Sequence, residues 1–181
     1  MNIDPREFRD ALGNFATGIT VVTTLCPDGK PIGVTINSFA SVSLEPPLVL
    51  FSLKTDSPLS DFFLTQDHFN ICILSESQEK VSNLFAGREE NKFDQVEWVR
   101  GENGCPNLKG ALAILECKRA EAHIGGDHTI FVGEVTRIEM EENGFAIYDI
   151  ETQANLFEGI LDWGIAWELH EMLLGETEAV A

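Results

Sequence analysis

Asp4-Pro5-Arg6-Glu7 sets an N-cap residue, a proline suited to the first helical position and a glutamate at the third, and Phe8, Ala11, Leu12 and Phe15 follow at helical spacing. The pattern predicts a short amphipathic helix ending between Gly13 and Gly18. Ile19 to Leu25 is rich in Thr and Val, Cys26-Pro27-Asp28-Gly29-Lys30 is turn-forming, and Pro31 to Ile36 is again apolar, so two strands of a hairpin are expected. Ser41 to Leu44 and Leu48 to Leu53 supply further strands. Pro46-Pro47 between them lacks amide hydrogens and favours a bend over a central ladder position.

Ser57-Pro58 repeats the cap-plus-proline signature ahead of Leu59, Phe62 and Phe63, which predicts a second short helix. Phe69 to Leu74 returns to strand. Gln78 to Ala86 has Val81, Leu84 and Phe85 at helical spacing and stops at Gly87. Residues 88–110 are polar and carry Gly101, Gly104, Pro106 and Gly110, the composition of a long surface connection. Leu112 to His123 and Thr129 to Met140 flank Ile124-Gly125-Gly126-Asp127, the pattern of a long hairpin. A last strand is expected near Phe145 to Ile150, before the apolar and aromatic stretch from Leu156 to Leu174. Six or more short, tightly joined strands with few helices predict a mainly β chain folded as an antiparallel barrel with helical additions.

Composition narrows the partners more than the fold. The chain has 181 residues, 44% hydrophobic, enough to bury one sizeable core. Its 12 Lys and Arg stand against 30 Asp and Glu, for a formal net charge of -18. Such a surface repels phosphate backbones and anionic lipid, which argues against a nucleic-acid or membrane partner. Arg137 is the last basic residue, and eleven carboxylates follow from Glu139 onward, a distribution that fits a solvated face. No apolar run approaches the roughly 20 residues of a membrane span. Met1 to Glu7 lacks the basic and apolar regions of a signal peptide, so a cytoplasmic location is expected. Cys26, Cys72, Cys105 and Cys117 fit neither zinc-ligand nor redox-pair spacing and are expected to be plain core or surface thiols.

Several familiar sites are absent: no glycine-rich dinucleotide fingerprint, no phosphate-loop lysine and no nucleophile-elbow serine. His170-Glu171 begins like a zinc-hydrolase helix, but Leu174 occupies the place of the second histidine. Three stretches retain candidate chemistry. Thr35, Asn37, Ser38, Ser41 and Ser43 crowd short polar groups into one strand-turn-strand, where they either satisfy local backbone or face a planar heteroaromatic ligand. Within Phe51 to Pro58, Lys54 and Thr55 lie beside a helix start at Ser57, where a cation and a positive dipole end suit a phosphate monoester, although Ser57 also serves simply as a cap. His128 stands at a glycine-shaped strand entrance, where it is either structural or a proton donor, anion contact or stacking platform. His123, Asp127 and His128 lie close in sequence but make a weak ligand set, and no metal is expected.

Four motifs in order resemble the flavin reductase family, the small reductase components that supply reduced flavin to separate monooxygenases. They are Ala11-Leu12-Gly13-Asn14-Phe15-Ala16-Thr17-Gly18 with Ile19 to Thr23, the Thr35-to-Leu44 stretch with Pro46-Pro47-Leu48-Val49, Phe85-Ala86-Gly87, and Gly126-Asp127-His128-Thr129-Ile130-Phe131-Val132-Gly133. The resemblance, which runs from about Phe8 to Val135, implies an FMN-binding antiparallel split β-barrel of Greek-key type with short peripheral helices. It implies FMN or FAD as flavin and NADH or NADPH as electron donor.

By the same resemblance, Thr35, Asn37, Ser38 and Ser41 line the flavin ring and ribityl chain, and Ser52, Leu53, Lys54 and Ser57 hold its middle and phosphate. Phe85, Ala86 and Gly87 form the far wall, and His128 is the catalytic-site histidine that positions the nicotinamide. The resemblance further implies a homodimer and a separate monooxygenase component. The acidic ending departs from the family pattern, which keeps a second reading in view: a flavin-binding electron carrier with little nicotinamide oxidase activity. A related oxidase of pyridoxine phosphate would invite basic residues that this chain lacks. The organisation expected is a split-barrel domain over 1–155 and an acidic, helical C-terminal extension over 156–181, packed on the barrel or dimer interface.

Overall fold

A computed structural model describes residues 3–141. The expected strand near Phe145 and the extension over 156–181 lie outside the described residues. Helix α1 spans Pro5–Gly13, and Asp4 Oδ1 caps it by accepting from the amides of Arg6 (2.7 Å) and Glu7 (3.4 Å). Strands β1 (Thr20–Leu25) and β2 (Pro31–Ile36) form the first hairpin, then β3 (Ala40–Leu44) and β4 (Pro47–Lys54) follow around a tight turn at Glu45-Pro46. Helix α2 (Pro58–Thr65) starts on the Ser57 cap, β5 is His68–Ile73, and α3 (Glu79–Ala86) ends at Gly87. The long hairpin is β8 (Ala113–Gly125) with β9 (His128–Met140).

Residues 88–110 depart from the expected surface connection. They contain a 3-10 turn at Lys92–Asp94 and a small hairpin of β6 (Trp98–Arg100) and β7 (Pro106–Leu108). Phe93, Cys105, Asn107 and Leu108 are buried there. Polarity misled the reading because the buried polar groups are paired with one another. Asn107 Nδ2 donates to Glu116 Oε1 (3.1 Å), as do the Glu102 amide (3.2 Å) and Arg137 (3.3 Å), while the Asn103 amide donates to Glu116 Oε2 (3.1 Å).

Seven strands pair antiparallel in the order β2-β1-β5-β8-β9-β4-β3. The two outermost strands are joined by residues 37–39 alone. Four Cα steps reach at most about 15 Å, whereas seven strands laid flat at about 4.8 Å spacing would hold their edges roughly 29 Å apart. The sheet is therefore rolled into a barrel that stays split between β2 and β3. Ser38 fastens the short connection to β4: its Oγ accepts from the Ser52 amide (3.0 Å) and donates to the Ser52 carbonyl (3.1 Å).

Alternation along the strands divides two cores. Inside the barrel Phe51 packs against Phe63, Phe69 and Phe131 at ring-centroid distances of 5.4, 5.1 and 5.0 Å, with Val22, Val34, Ile36, Leu53 and Ile71 around them. On the outside of β1 and β5, Val21, Cys72 and Leu74 meet Phe85 of α3 together with Phe93 and Leu108. Gly133 is fixed by the inner core, because a Cβ there would run into the Phe69 ring. Among the described residues no helix is long and apolar enough to cross a membrane.

None of the four cysteines is in a disulfide, and burial pushes the Cys72 and Cys117 thiols up to about 12 and the Cys105 thiol up to about 11. The native protein should accordingly give one accessible thiol with an aromatic disulfide reagent, at half-buried Cys26, and four in denaturant. A native count of two or more would contradict this packing.

Candidate functional site

The hairpin turn that carries His128 is two residues long, Gly126-Asp127, between the paired ends Gly125 and His128. Gly126 has φ +70, the first-position conformation that such a turn reserves for glycine. The turn is tied to the end of β4: the Thr55 amide donates to the Asp127 carbonyl (2.9 Å), and the Thr55 and Thr129 hydroxyls are 3.1 Å apart. His128 itself pairs with Lys54 across the β4–β9 ladder. Two stretches that the sequence presented as separate candidates thus meet.

The period of two decides which side chains share that surface. Val49, Phe51 and Leu53 of β4 are buried in the barrel, so Leu50, Ser52 and Lys54 face outward. Phe131 and Thr129 of β9 are buried, which leaves His128, Ile130 and Val132 on the same outer face. Ser38 joins it through its bonds to Ser52. Leu53 contributes only backbone to this face, since its side chain is 6% exposed within the core. Ser41 is exposed on β3 and Asn37 is half-buried in the connection between β2 and β3.

A second group gathers where α3 crosses β2. The Thr35 hydroxyl donates to the Ser82 carbonyl (2.7 Å), and Gly33 leaves room for the Phe85 ring. Phe85 is fully buried and Ala86 nearly so, so this end of α3 offers a ligand mainly its backbone and Gly87. Lys92 turns back to cap the helix, donating to the carbonyls of Phe85 (3.0 Å) and Gly87 (2.6 Å). Burial lowers its pKa. A cavity of about 690 Å³ opens beside this group, lined by Lys30, Ile32, Gly33, Leu59, Arg88 and Phe93 among others. Leu59 belongs to the first turn of α2, two residues after the Ser57 cap, and so links the cavity to the Lys54–Ser57 stretch.

Electrostatics on the His128 side are local. Lys54 Nζ is 3.4 Å from Asp56 and its side chain is 24% exposed. His128 Nδ1 is 2.7 Å from Asp127 Oδ1, a bond that holds the Asp127 carboxyl below its ordinary range. Sequence reasoning treated Asp127 only as a weak metal ligand and missed this pairing, although adjacency to His128 after a glycine pair was the available signal. Among the described residues no three His, Cys, Asp or Glu side chains converge to hold a metal ion.

The donor set fits a flavin nucleotide. The Ser57 helix start and the Lys54 ammonium suit its phosphate, and the Ser38–Ser52 rim with the outward apolar Leu50 and Ile130 suits a flat, partly polar ring. Ser60 Oγ, fully buried in the first turn of α2, has no hydrogen-bond partner, an orphan that marks this end of the helix as polar beyond its own needs.

Comparison with known proteins agrees with that chemistry. The family model described as flavin reductase like domain matches residues 12–154. The FMN reductase (NADH) SmoA of Agrobacterium fabrum is 52% identical over 132 residues, 73% of this chain and 75% of that protein. The reductase component of the flavin-dependent trigonelline monooxygenase of Acinetobacter baylyi is 45% identical over 130 residues, covering 72% of this chain and 42% of that protein. Two further relatives from Rhizobium meliloti are likewise matched over 44% and 58% of their length. Among solved structures, the NADH:FAD oxidoreductase SgcE6 of Streptomyces globisporus superposes with a TM-score of 0.74 at 39% identity, covering 81% of this chain and 90% of that one.

Proposed function

We propose that this chain, which belongs to the flavin reductase like domain family, is an NADH-dependent flavin reductase that delivers reduced flavin to a separate monooxygenase. The observation that carries the reading is the convergence of Ser38, Ser52, Lys54 and His128 on one outer face, next to the helix start at Ser57. A flavin held there would supply the redox chemistry, as the acceptor of hydride from the reduced nicotinamide. What remains for the protein is to bind, orient and exclude water.

Lys54 and the first turn of α2 hold the phosphate, where the ammonium exchanges its partner Asp56 for a phosphate oxygen. Asn37 and Ser38 from the β2–β3 connection and Ser41 from β3 bracket the ring, and Thr35 near the end of β2 ties that strand to α3. Gly87 and the neighbouring backbone close the far side. His128, across the ladder from Lys54 and bonded to Asp127 through Nδ1, would hold the nicotinamide against the flavin ring so that the donor carbon and the acceptor nitrogen meet at near-attack distance.

The protein works in the cytoplasm as a homodimer. Four unpaired thiols suit a reducing compartment. Helix α1 has no buried residue, and Phe8, Leu12 and Phe15 are 53%, 51% and 73% exposed, an apolar stripe that a second copy would cover.

The test follows NADH and NADPH oxidation at 340 nm with added FMN or FAD. Rapid flavin-dependent oxidation is the expected result; flavin binding without oxidation would replace the reductase with an electron carrier, and no flavin binding would end both. Lys54→Ala should weaken flavin binding by about 1.5 to 3 kcal/mol, the worth of one charge-assisted bond, measured by fluorescence titration. Riboflavin, which has no phosphate, should bind wild type and variant alike. Equal loss for riboflavin would take Lys54 away from the phosphate.

A further inference from the structure

We infer that Asp127 is a positioning residue: it fixes which ring nitrogen of His128 carries the proton, so that Nε2 is presented as an acceptor to the carboxamide of the reduced nicotinamide. The inference rests on the reductase reading for its ligand, but its geometry stands in the chain alone.

The backbone around the pair is held from both sides by one residue. Thr55 takes the Asp127 carbonyl with its amide and meets the Thr129 hydroxyl with its own, so Asp127 and His128 cannot swing independently of β4. The two-residue turn then places the Asp127 carboxylate 2.7 Å from Nδ1 of the next side chain. Lys54, opposite His128 on the ladder, has only donors and cannot accept the imidazole proton. Asp127 Oδ1 is the acceptor provided, and its carboxyl is held in the charged form. A neutral imidazole that donates from Nδ1 has its lone pair on Nε2. That lone pair complements an amide N–H2, the one donor group on the nicotinamide ring. The same logic assigns the carboxylate partner of a catalytic histidine in hydrolase triads, where loss of the correct tautomer is costly although geometry is kept.

His123 provides an internal reference. Its Nε2 is 2.6 Å from Glu121 Oε2, the opposite ring nitrogen from the one His128 uses. Histidine labelled with 15N in the full chain, recorded at a pH where the nitrogen shifts themselves report neutral rings, should show His128 as the Nδ1–H tautomer and His123 as Nε2–H; a His128→Ala sample assigns the signals. In Asp127→Ala the His128 ring should revert to the Nε2–H form preferred by free imidazole, with His123 unmoved. The KM for NADH should rise roughly five- to tenfold, the loss of one neutral hydrogen bond, with the thermal midpoint unchanged because Asp127 is exposed.

An Nε2–H tautomer in wild type, or a tautomer indifferent to Asp127, would overturn the assignment. A tautomer switch with an unchanged KM for NADH would overturn the nicotinamide contact. The spectrum needs no flavin or NADH, so a tautomer switch in a chain that oxidises no NADH supports the pair while removing the reductase reading.

Discussion

His128→Ala should lower kcat/KM for NADH about a hundredfold while leaving flavin affinity within roughly twofold of wild type. The split between the two readouts follows from where the side chain sits. His128 lies on the outer face of β9 directly across the ladder from Lys54, with Nδ1 turned to Asp127, so removing its ring leaves the Lys54 ammonium and the Ser57 helix start in place for the flavin. Removing the ring leaves the turn intact, because Gly126 and the bonds from Thr55 involve backbone and hydroxyl groups that do not depend on it. What is lost is the contact that holds the donor ring against the flavin, and misplacement of that ring by even about 1 Å is enough for an effect of this size. Stopped-flow reduction of bound flavin by NADH measures it directly. A variant reduced at the wild-type rate would remove His128 from the reaction, and a variant that also releases flavin would show that it holds the ring instead.

The sequence singles out His128 by its glycine-shaped setting and by the family motif, and the structure supplies the geometry behind the first of these signals. A two-residue turn with positive φ needs Gly126, and a turn of that length forces the next residue into strand register with Lys54. Strand alternation, helix caps and turn residues are local codes, and Asp4, Ser57 and Gly87 stand where those codes place them. The inward pointing of Leu53 and the burial of Phe85 were less visible. Both lie in stretches where resemblance identifies a ligand wall, but it does not say whether side chain or backbone faces the ligand. The rolling of the sheet into a split barrel was legible only through fold type, whereas its physical cause, a three-residue link between edge strands, needs the strand order.

Residues 88–110 were misread for a different reason. Polar composition predicts solvent exposure only when polar groups have no partners within the fold, and here a single carboxylate gathers them. Glu116 interrupts the apolar run Ile114-Leu115-Glu116-Cys117 of β8, and a lone acid in such a strand was the signal to look for partners. Asn103 and Asn107 were those partners, tied further to Asn70 of β5.

That carboxylate carries the largest expected stability effect. Glu116 is 1% exposed and accepts from two backbone amides, from Asn107 and from Arg137, which also pairs with Glu102 and Glu139. Burial alone would push its carboxyl above the ordinary 4.5, but the donors from Asn103, Asn107 and Glu102 and the Arg137 charge reverse that and hold it below. A carboxyl depressed in the folded state stabilises the fold above its unfolded value, and this contribution is lost as pH falls through the lower folded value. Glu116→Gln replaces one acceptor oxygen by a donor facing donors, so it should cost about 1 to 3 kcal/mol at neutral pH, the penalty of leaving a buried donor unpaired, since Arg137 keeps Glu102 and Glu139. Urea unfolding at pH 7 reads this as a shifted midpoint with an unchanged slope. Below pH 4.5 the difference should narrow, since wild type then loses what the variant never had. A neutral-pH midpoint equal to wild type, or a gap that widens in acid, would mean that the 101–107 loop is held to the barrel by packing of Cys105 and Leu108 and not by the charge beneath it.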